Sequence, residues 1–225
     1  MRPAATASHD RRAMTSHRTP RLGVTGGIGS GKSTATAFLE ELGAAVVSAD
    51  ELVHNLLEEQ AIINRVERHF GGGVLDAEQI DRPALAQVVF NDAGELVWLE
   101  SLLHPHVKRL IESWAKEQER RRPRPPLLVA EVPLLFETDM GDVFDYILLV
   151  TAPEATRRRR LSAKVTDEEF SRRAARQQPE AETAVRSDFV VENVGGREGL
   201  RRFVGEMYAA ILAEAGRQGA PPPSR

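Results

Sequence analysis

The most constraining feature of this sequence is the glycine-rich octapeptide at residues 26–33, which reads GGIGSGKS. It fits the pattern G-x-x-x-x-G-K-[ST], in which glycines allow backbone N–H groups to approach phosphate oxygens closely. Its surroundings fit as well, because the apolar run 22–25 predicts a strand before the loop and residues 34–42 predict a helix after it. We therefore expect a phosphate-binding loop, the P-loop, at a helix N-terminus, where the helix dipole favours an anion. The alternative is a glycine-rich turn without a ligand, which does not explain the position between strand and helix.

The residues of the P-loop have separate expected roles in binding a nucleoside triphosphate. Lys32 should reach the β- and γ-phosphates, and the hydroxyl of Ser33 should hold Mg²⁺. The expected nucleotide-binding residues are Gly29, Ser30, Gly31, Lys32, Ser33 and Thr34.

The composition limits what else the chain can be. With 225 residues and a hydrophobic share of 41%, one α/β domain with inserted segments is the natural expectation. The formal net charge of −3 gives no overall attraction to nucleic acid or membranes, and no apolar run approaches the ~20 residues that span a bilayer. Cysteine is absent, which excludes disulfides and thiolate metal sites. We expect a cytoplasmic protein that binds neither nucleic acid nor membranes, and the sequence makes no prediction about its oligomeric state.

Both ends of the chain differ in composition from the rest. Residues 1–20 contain four arginines and almost no acid, which resembles a transit peptide, but residues 4–10 have no amphipathic stripe. We therefore expect a disordered extension, or a true start at Met14. The proline-rich residues 216–225 are expected to form a disordered tail.

Apolar runs and helical patterns alternate along the chain, which predicts a parallel sheet covered by helices. Strands are expected at 22–25, 44–48, 127–132, 146–150 and 188–191, and a closing helix at 200–212. Asp50 follows the second strand almost directly, and the edge where parallel strands end is where ligands bind in open α/β sheets. Asp50 is therefore a candidate for chemistry, although it can also cap the helix that follows.

Two helical segments interrupt the alternation. Residues 51–118 are too long for a simple crossover, and we interpret them as a substrate-binding insertion. Within them, Asp81 is expected to cap a helix and the dipeptide His104-Pro105 to kink or break another. Residues 155–186, the lid segment, are helical and rich in arginine, as is typical of a lid in a phosphoryl-transfer enzyme.

The remaining segments, 21–50, 119–154 and 187–215, form the expected core domain. Its arginine-rich stretch 119–126 is interpreted as a solvated linker, because it lacks the aromatic side chains that stack on bases.

Five phrases taken together resemble the dephospho-coenzyme A kinase family. They are VTGGIGSGKST at 24–34, SADELVH at 48–54, LLHP at 102–105, VPLLFE at 132–137 and NVG at 193–195. The P-loop alone fits many families, whereas the set in this order is far more specific and covers about residues 21–212. The resemblance implies a P-loop kinase with a five-stranded parallel sheet, a helical substrate-binding insertion and a helical lid. It implies transfer of the γ-phosphoryl of ATP, with Mg²⁺, to the ribose 3′-hydroxyl of dephospho-CoA, the last step of coenzyme A biosynthesis.

The resemblance also implies roles for the residues that catalyse transfer. Lys32 and Ser33 match the family's phosphate and Mg²⁺ residues, and Asp50 matches its proposed general base and metal partner. Glu131 stands where the family usually has an aspartate near the metal.

Other matches concern the two substrates. Arg82 matches an arginine of the acceptor region, for which a solvated charge is the alternative, and His104 matches the family's His-Pro, for which a structural histidine is the alternative. Asn193 and Gly195 match the turn where the adenine lies, for which a local turn is the alternative.

The lid segment departs from the family pattern, because the second arginine is either missing or replaced by Lys164, which lacks the planar fork of an arginine. Arg157 to Arg160 supply alternatives, with Arg159 and Arg160 as the candidate lid residues, and the sequence leaves open which arginine reaches the phosphates. Arg173 and Gln177 match the family's later lid helix.

Two other functions compete with this interpretation. A kinase for another small metabolite, such as a nucleoside or shikimate, shares the fold but does not require so long a helical insertion. A regulatory module that binds nucleotide without transferring a phosphoryl group does not require Asp50 or the arginine-rich lid segment.

Overall fold

The computed structural model describes residues 18–218, so that most of the expected N-terminal extension, including Met14, and the end of the C-terminal tail lie outside the described residues. The described strands are β1 (Arg21–Thr25), β2 (Ala45–Ser48), β3 (Leu75–Asp76), β4 (Gln79–Ile80), β5 (Leu128–Glu131), β6 (Tyr146–Thr151) and β7 (Phe189–Glu192). The described α-helices are α1 (Lys32–Glu41), α2 (Ala49–Leu56), α3 (Gln60–Phe70), α4 (Arg82–Asn91), α5 (Ala93–Arg120), α6 (Glu154–Leu161), α7 (Asp167–Ala175), α8 (Glu180–Val185) and α9 (Gly196–Gln218).

The described residues divide into two compact units, one formed by residues 18–47 and 114–218, the other by Ser48–Ser113. The first unit is built around a five-stranded sheet in the order β2-β5-β1-β6-β7. Strand β1 pairs in parallel with both β5 and β6, and β6 pairs in parallel with β7. The predicted α/β fold with a five-stranded parallel sheet is confirmed.

Strand β1 lies at the centre of this sheet, and its side chains are buried on both faces. Leu22 and Val24 on one face are fully buried and Thr25 on the other face is 3% exposed, as expected for a central parallel strand covered on both faces. Helix α1 contributes Phe38 and helix α9 contributes Val204 to the same apolar cluster. The P-loop therefore follows a central and largely buried strand of the unit.

Residues 18–20 contact the core, although the sequence predicted them to belong to a disordered extension. Arg18 forms an ion pair with Asp145, Thr19 is buried, and the carbonyl of Pro20 accepts a hydrogen bond from the N–H of Leu128 at 3.0 Å. Burial raises the pKa of Asp145, against the lowering effects of Arg18 and of the backbone N–H of Arg21. At the other end, α9 continues to Gln218 rather than ending near residue 212.

The second unit is mostly helical, as the sequence predicts. Asp81 caps α4, its carboxylate accepting from the N–H of Ala84 at 3.2 Å, and a proline stands in the first turn. His69 at the end of α3 stacks on Trp98 of α5, with ring centroids 3.7 Å apart.

Two local expectations for this unit are wrong. Helix α5 does not break at Pro105 but runs through it over a total of 28 residues, because the buried side chains Leu103, Val107 and Ile111 on one face outweigh the lost backbone hydrogen bond. A small antiparallel hairpin of β3 and β4 lies in the block predicted to be helical. Its turn residues Ala77 and Glu78 both have positive φ, and neither is a residue type that signals such a turn.

Candidate functional site

The P-loop joins β1 to α1 in a conformation that requires glycine at specific positions. Gly31 precedes α1 with φ 108°, and a Cβ there would overlap the side-chain amide of Asn193. Gly26 has φ 138°, and a Cβ there would overlap the carbonyl oxygen of Val150. The loop is thus wrapped closely around the first turn of α1, which leaves its backbone N–H groups at the helix N-terminus.

Lys32, the first residue of α1, folds back over the P-loop. Its side chain is 8% exposed, and Nζ donates to the carbonyls of Gly26 at 3.0 Å and Gly27 at 3.2 Å. The ammonium group therefore lies on the loop that is expected to carry the phosphates, where its charge offsets theirs.

Glu131 ends strand β5 beside the first turn of α1. It stands opposite Val24 in the parallel pairing of β1 and β5. The hydroxyl of the buried Thr36 lies 3.3 Å from Glu131 Oε2 and 3.2 Å from the carbonyl oxygen of Ser33. Hydroxyl and carboxylate oxygens are the ligands that Mg²⁺ prefers, so Ser33 and Glu131 are a chemically suitable pair for this ion.

Asn193 and Arg160 both contact backbone groups of the P-loop. Asn193 Nδ2 donates to the carbonyl of Ser30 at 2.8 Å, and the backbone N–H of Asn193 donates to the backbone carbonyl of Thr151 at 2.7 Å. Arg160 Nη1 donates to Gly29 and Ser30 at 3.3 and 3.1 Å, and Nη2 donates to the Asn193 carbonyl at 2.8 Å. These two predicted site residues thus stabilise the P-loop by donating to its backbone carbonyls.

The other predicted residues nearby are exposed. Arg159 on α6 and Gly195 in the turn after β7 both face solvent, and their roles toward the phosphates and the adenine stay predictions.

Sequence reasoning did not single out Arg157 within the arginine run. Its Nε donates to the Ala152 carbonyl at 3.0 Å, its Nη1 lies 3.5 Å from the carbonyl oxygen of Ile28, and its guanidinium lies over the ring of Phe170. Spacing gives a signal only in retrospect, because Arg157 and Arg160 lie three residues apart and hence on one face of α6.

Gln177, which follows α7, matches the family's later lid helix, but sequence reasoning did not predict its contacts. Its side-chain amide contacts Gly26, Ile28 and Pro133 through backbone groups. The P-loop, Pro133, Phe136 and Arg157 border a cavity of about 260 Å³ beside this amide.

The turn after β5, residues 132–137, is where the lid segment attaches to the core. Glu137 accepts from the backbone N–H of Gln178 at 2.6 Å, and Arg186 lies over the ring of Phe136 at 4.2 Å. The phrase VPLLFE therefore receives a structural explanation, since its side chains and carbonyls hold residues 177–186.

Asp50, Arg82 and His104 belong to the second unit. Asp50 does not have its alternative role as the cap of α2. The side chain of Ser48 takes the cap position and accepts from the N–H of Glu51 at 3.5 Å. Arg82 donates to the carbonyl of His54 at 3.0 Å and lies 3.5 Å from Glu58, and these contacts are exposed. His104 is half-buried on α5.

A P-loop between the central strand and its helix, a carboxylate ending the neighbouring strand and an arginine-rich helical segment seated on the loop define a P-loop kinase. Comparison with known proteins identifies the family within the P-loop kinases.

The family described as "Dephospho-CoA kinase" matches residues 21–198. The dephospho-CoA kinase of Protochlamydia amoebophila is 39% identical over 194 residues, covering 85% of this chain and 96% of the relative. That of Symbiobacterium thermophilum is 37% identical over 205 residues, covering 89% and 84%.

Solved structures agree with the sequence comparisons. The Thermus thermophilus protein TT1252 is 36% identical with a TM-score of 0.72, covering 88% of this chain and 98% of that one. The dephospho-CoA kinase of Campylobacter jejuni is 25% identical with a TM-score of 0.65, covering 86% and 98%. The chain belongs to the dephospho-CoA kinase family.

Proposed function

We infer that this protein transfers the γ-phosphoryl group of ATP to the ribose 3′-hydroxyl of dephospho-CoA, giving coenzyme A and ADP. The observation that carries this inference is the family membership over residues 21–198 together with an intact P-loop whose lysine lies on the loop. A new bond forms between the ribose 3′-oxygen and the γ-phosphorus, and the bond from that phosphorus to the β,γ-bridging oxygen breaks. The hydroxyl proton leaves the ribose oxygen, and the bridging oxygen stays with ADP.

Lys32 is proposed to offset negative charge on the β- and γ-phosphates during transfer. Its ammonium lies over the carbonyls of Gly26 and Gly27, and a fixed positive charge where negative charge develops lowers the barrier. Backbone N–H groups at the start of α1 are proposed to bind the same phosphates.

Mg²⁺ is proposed to bind through Ser33 and Glu131, and when bound it neutralises phosphate charge and orients the phosphates. Thr36 is proposed to hold the Glu131 carboxylate in place through its hydroxyl.

Asp50 is proposed to accept the proton of the ribose hydroxyl. It is the acid that follows β2 within two residues, in the first turn of α2, and phosphoryl transfer needs a residue that accepts or orients this proton. Its role as helix cap is taken by Ser48, so the capping explanation no longer competes.

The substrate-binding roles are proposed as follows. Residues 51–118, with Arg82 and His104, bind the acceptor, while Asn193 and Gly195 lie beside the adenine, and Arg159 and Arg160 act from the lid segment. We also propose that the enzyme works in the cytoplasm. Within residues 18–218 no helix has the length and hydrophobicity to cross a membrane.

The decisive experiment mixes the purified protein with ATP, Mg²⁺ and dephospho-CoA and follows ADP release and coenzyme A by mass spectrometry. We expect ADP release that depends on dephospho-CoA and a product heavier by one phosphoryl group. Lys32→Ala should reduce turnover by roughly 10²-fold or more, the usual cost of losing one charge-stabilising group in a phosphate site. Release of ADP with a nucleoside or shikimate instead of dephospho-CoA would contradict the proposed acceptor.

A further inference from the structure

The side-chain amide of Gln177 joins two segments of the core through three backbone groups. Its Oε1 accepts from the N–H of Ile28 at 3.2 Å, and its Nε2 donates to the carbonyls of Gly26 at 3.1 Å and Pro133 at 3.3 Å. The orientation of the amide is fixed by chemistry, because the reverse would set its oxygen against two carbonyl oxygens and its NH₂ against an N–H. Both the oxygen and the nitrogen of the amide therefore form hydrogen bonds.

One of these acceptors is shared with Lys32. The carbonyl oxygen of Gly26 accepts from Lys32 Nζ at 3.0 Å as well as from Gln177 Nε2. A carbonyl oxygen has two lone pairs, so the lysine and the glutamine together satisfy it. The position of the lysine head group and the position of Gln177 thus depend on the same atom.

Gln177 lies in the lid segment, directly after α7, whereas its partners lie in the P-loop and in the turn after β5. Gln178 and Arg186 attach the same part of the lid segment to that turn through Glu137 and Phe136. In contrast to these neighbours, Gln177 reaches the P-loop itself. When the lid segment lies against the core, Gln177 therefore fixes the positions of P-loop backbone groups.

We propose that Gln177 is a positioning residue, which fixes the P-loop and the ammonium group of Lys32 for phosphoryl transfer when the lid segment is seated. This inference rests on the proposed phosphoryl-transfer function. It assigns to a neutral amide a task that is distinct from the charge neutralisation expected of the lid arginines.

Two substitutions and a matched control test the proposal. Gln177→Met keeps the length of the side chain but removes all three hydrogen bonds, and Gln177→Glu keeps the acceptor for Ile28 but sets an anionic oxygen against two carbonyls. Gln178→Glu is the control, since its side-chain oxygen accepts from Arg186 Nη1 at 3.2 Å and a carboxylate preserves that contact. Steady-state kinetics give kcat and both KM values, a calorimetric titration gives the ADP dissociation constant without acceptor, and thermal melting checks folding.

We expect both Gln177 variants to lose roughly 10- to 100-fold in kcat, because each loses two or three of the part-buried hydrogen bonds that fix the P-loop. ADP affinity should fall by only a few-fold, and the melting temperature and the Gln178→Glu variant should stay near the parent. The kcat of Gln177→Glu should recover toward that of the parent as the pH is lowered, because a protonated carboxyl regains a donor. A kcat within threefold of the parent for a folded Gln177→Met variant would overturn the proposal, as would equal losses in kcat and ADP affinity.

The parent protein separates this proposal from the proposed function. If the parent releases no ADP with dephospho-CoA, the proposed function fails, and the Gln177 proposal is then judged on ADP binding. In that case unchanged ADP affinity in both Gln177 variants overturns it.

Discussion

Asp50 is the residue whose proposed role can be tested with the smallest chemical change. Asp50→Asn keeps the size of the side chain and its hydrogen-bonding capacity but removes the proton acceptor. Turnover should fall by roughly 10²–10⁴-fold, the usual effect of a positioned proton acceptor. Stability should change little, because Ser48 rather than Asp50 caps α2 and a carboxylate in the first turn contributes only about 0.3–1 kcal/mol through the helix dipole.

The measurement compares kcat, ADP binding and melting temperature of Asp50→Asn with those of the parent. Phosphorylation of dephospho-CoA within a few-fold of the parent would show that Asp50 is not the base. If Asp50→Asn instead weakens the binding of Mg²⁺-nucleotide while turnover at saturating Mg²⁺-nucleotide stays near that of the parent, Asp50 is a metal partner rather than the base.

Thr36 offers a test of the proposed metal site that leaves both proposed ligands intact. Thr36→Val preserves shape but removes the hydroxyl beside Glu131 and the carbonyl of Ser33. We expect a Mg²⁺ requirement raised several-fold and a stability loss of about 1 kcal/mol, the typical value for one hydrogen bond. Thr36→Ser should restore both. A Mg²⁺ titration of activity at fixed ATP checks this, and an unchanged titration curve for Thr36→Val would contradict a role of Thr36 in placing Glu131.

At the residue scale, sequence patterns located the P-loop correctly because its chemistry depends on residue types at fixed spacing. The partners of those residues were harder to predict. The closeness of Asn193 to Ser30 depends on the pairing of β6 with β7, and the contacts of Gln177 depend on where α7 ends. The contacts of both residues with the P-loop join positions more than a hundred residues apart, for which one sequence carries no local signal.

At the scale of elements, helix α6 differs from an ordinary arginine-rich surface helix. Arg160→Ala should reduce turnover by about tenfold and raise the KM for ATP, because its guanidinium joins the P-loop carbonyls to that of Asn193. Arg202→Ala on α9 is the matched control, since it removes an equal charge from an exposed position. Steady-state kinetics at two salt concentrations check the prediction. Equal changes in kcat and KM for both variants would show that Arg160 contributes only through the net charge of the protein.

Element boundaries show which sequence signals are reliable. The cap of α4 by Asp81 was predicted because a capping side chain acts on its own neighbours. The continuation of α5 through Pro105 was not predicted, since it depends on tertiary burial of one helix face. The β3–β4 hairpin was missed for a related reason, because Ala77 and Glu78 adopt positive φ without glycine or asparagine.

At the scale of the whole molecule, Asp145 makes stability depend on pH. Burial raises its pKa above the ordinary value of 3.8 despite the pairing with Arg18. The folded state therefore binds this proton more tightly than the unfolded state, and the contribution of Asp145 is full below pH 3.8 and is lost as the pH rises through the folded pKa. Asp145→Asn is neutral at every pH and lacks this dependence.

We therefore expect the unfolding free energy of the parent, relative to that of Asp145→Asn, to increase as the pH falls from neutral toward 4. Chemical denaturation of both proteins at several pH values measures the difference. A change in the opposite direction would mean that attraction by Arg18 outweighs burial and lowers the pKa.

The central position of β1 has a consequence for how the molecule opens. Amide protons of β1 are shielded by strands on both sides, so their exchange with solvent should require global unfolding. The lid helices α6, α7 and α8 bury at most one residue each, so their amides should exchange through much smaller local openings. The lid segment should thus detach and return many times during each lifetime of the P-loop strand, and deuterium labelling followed by mass spectrometry would resolve the two timescales.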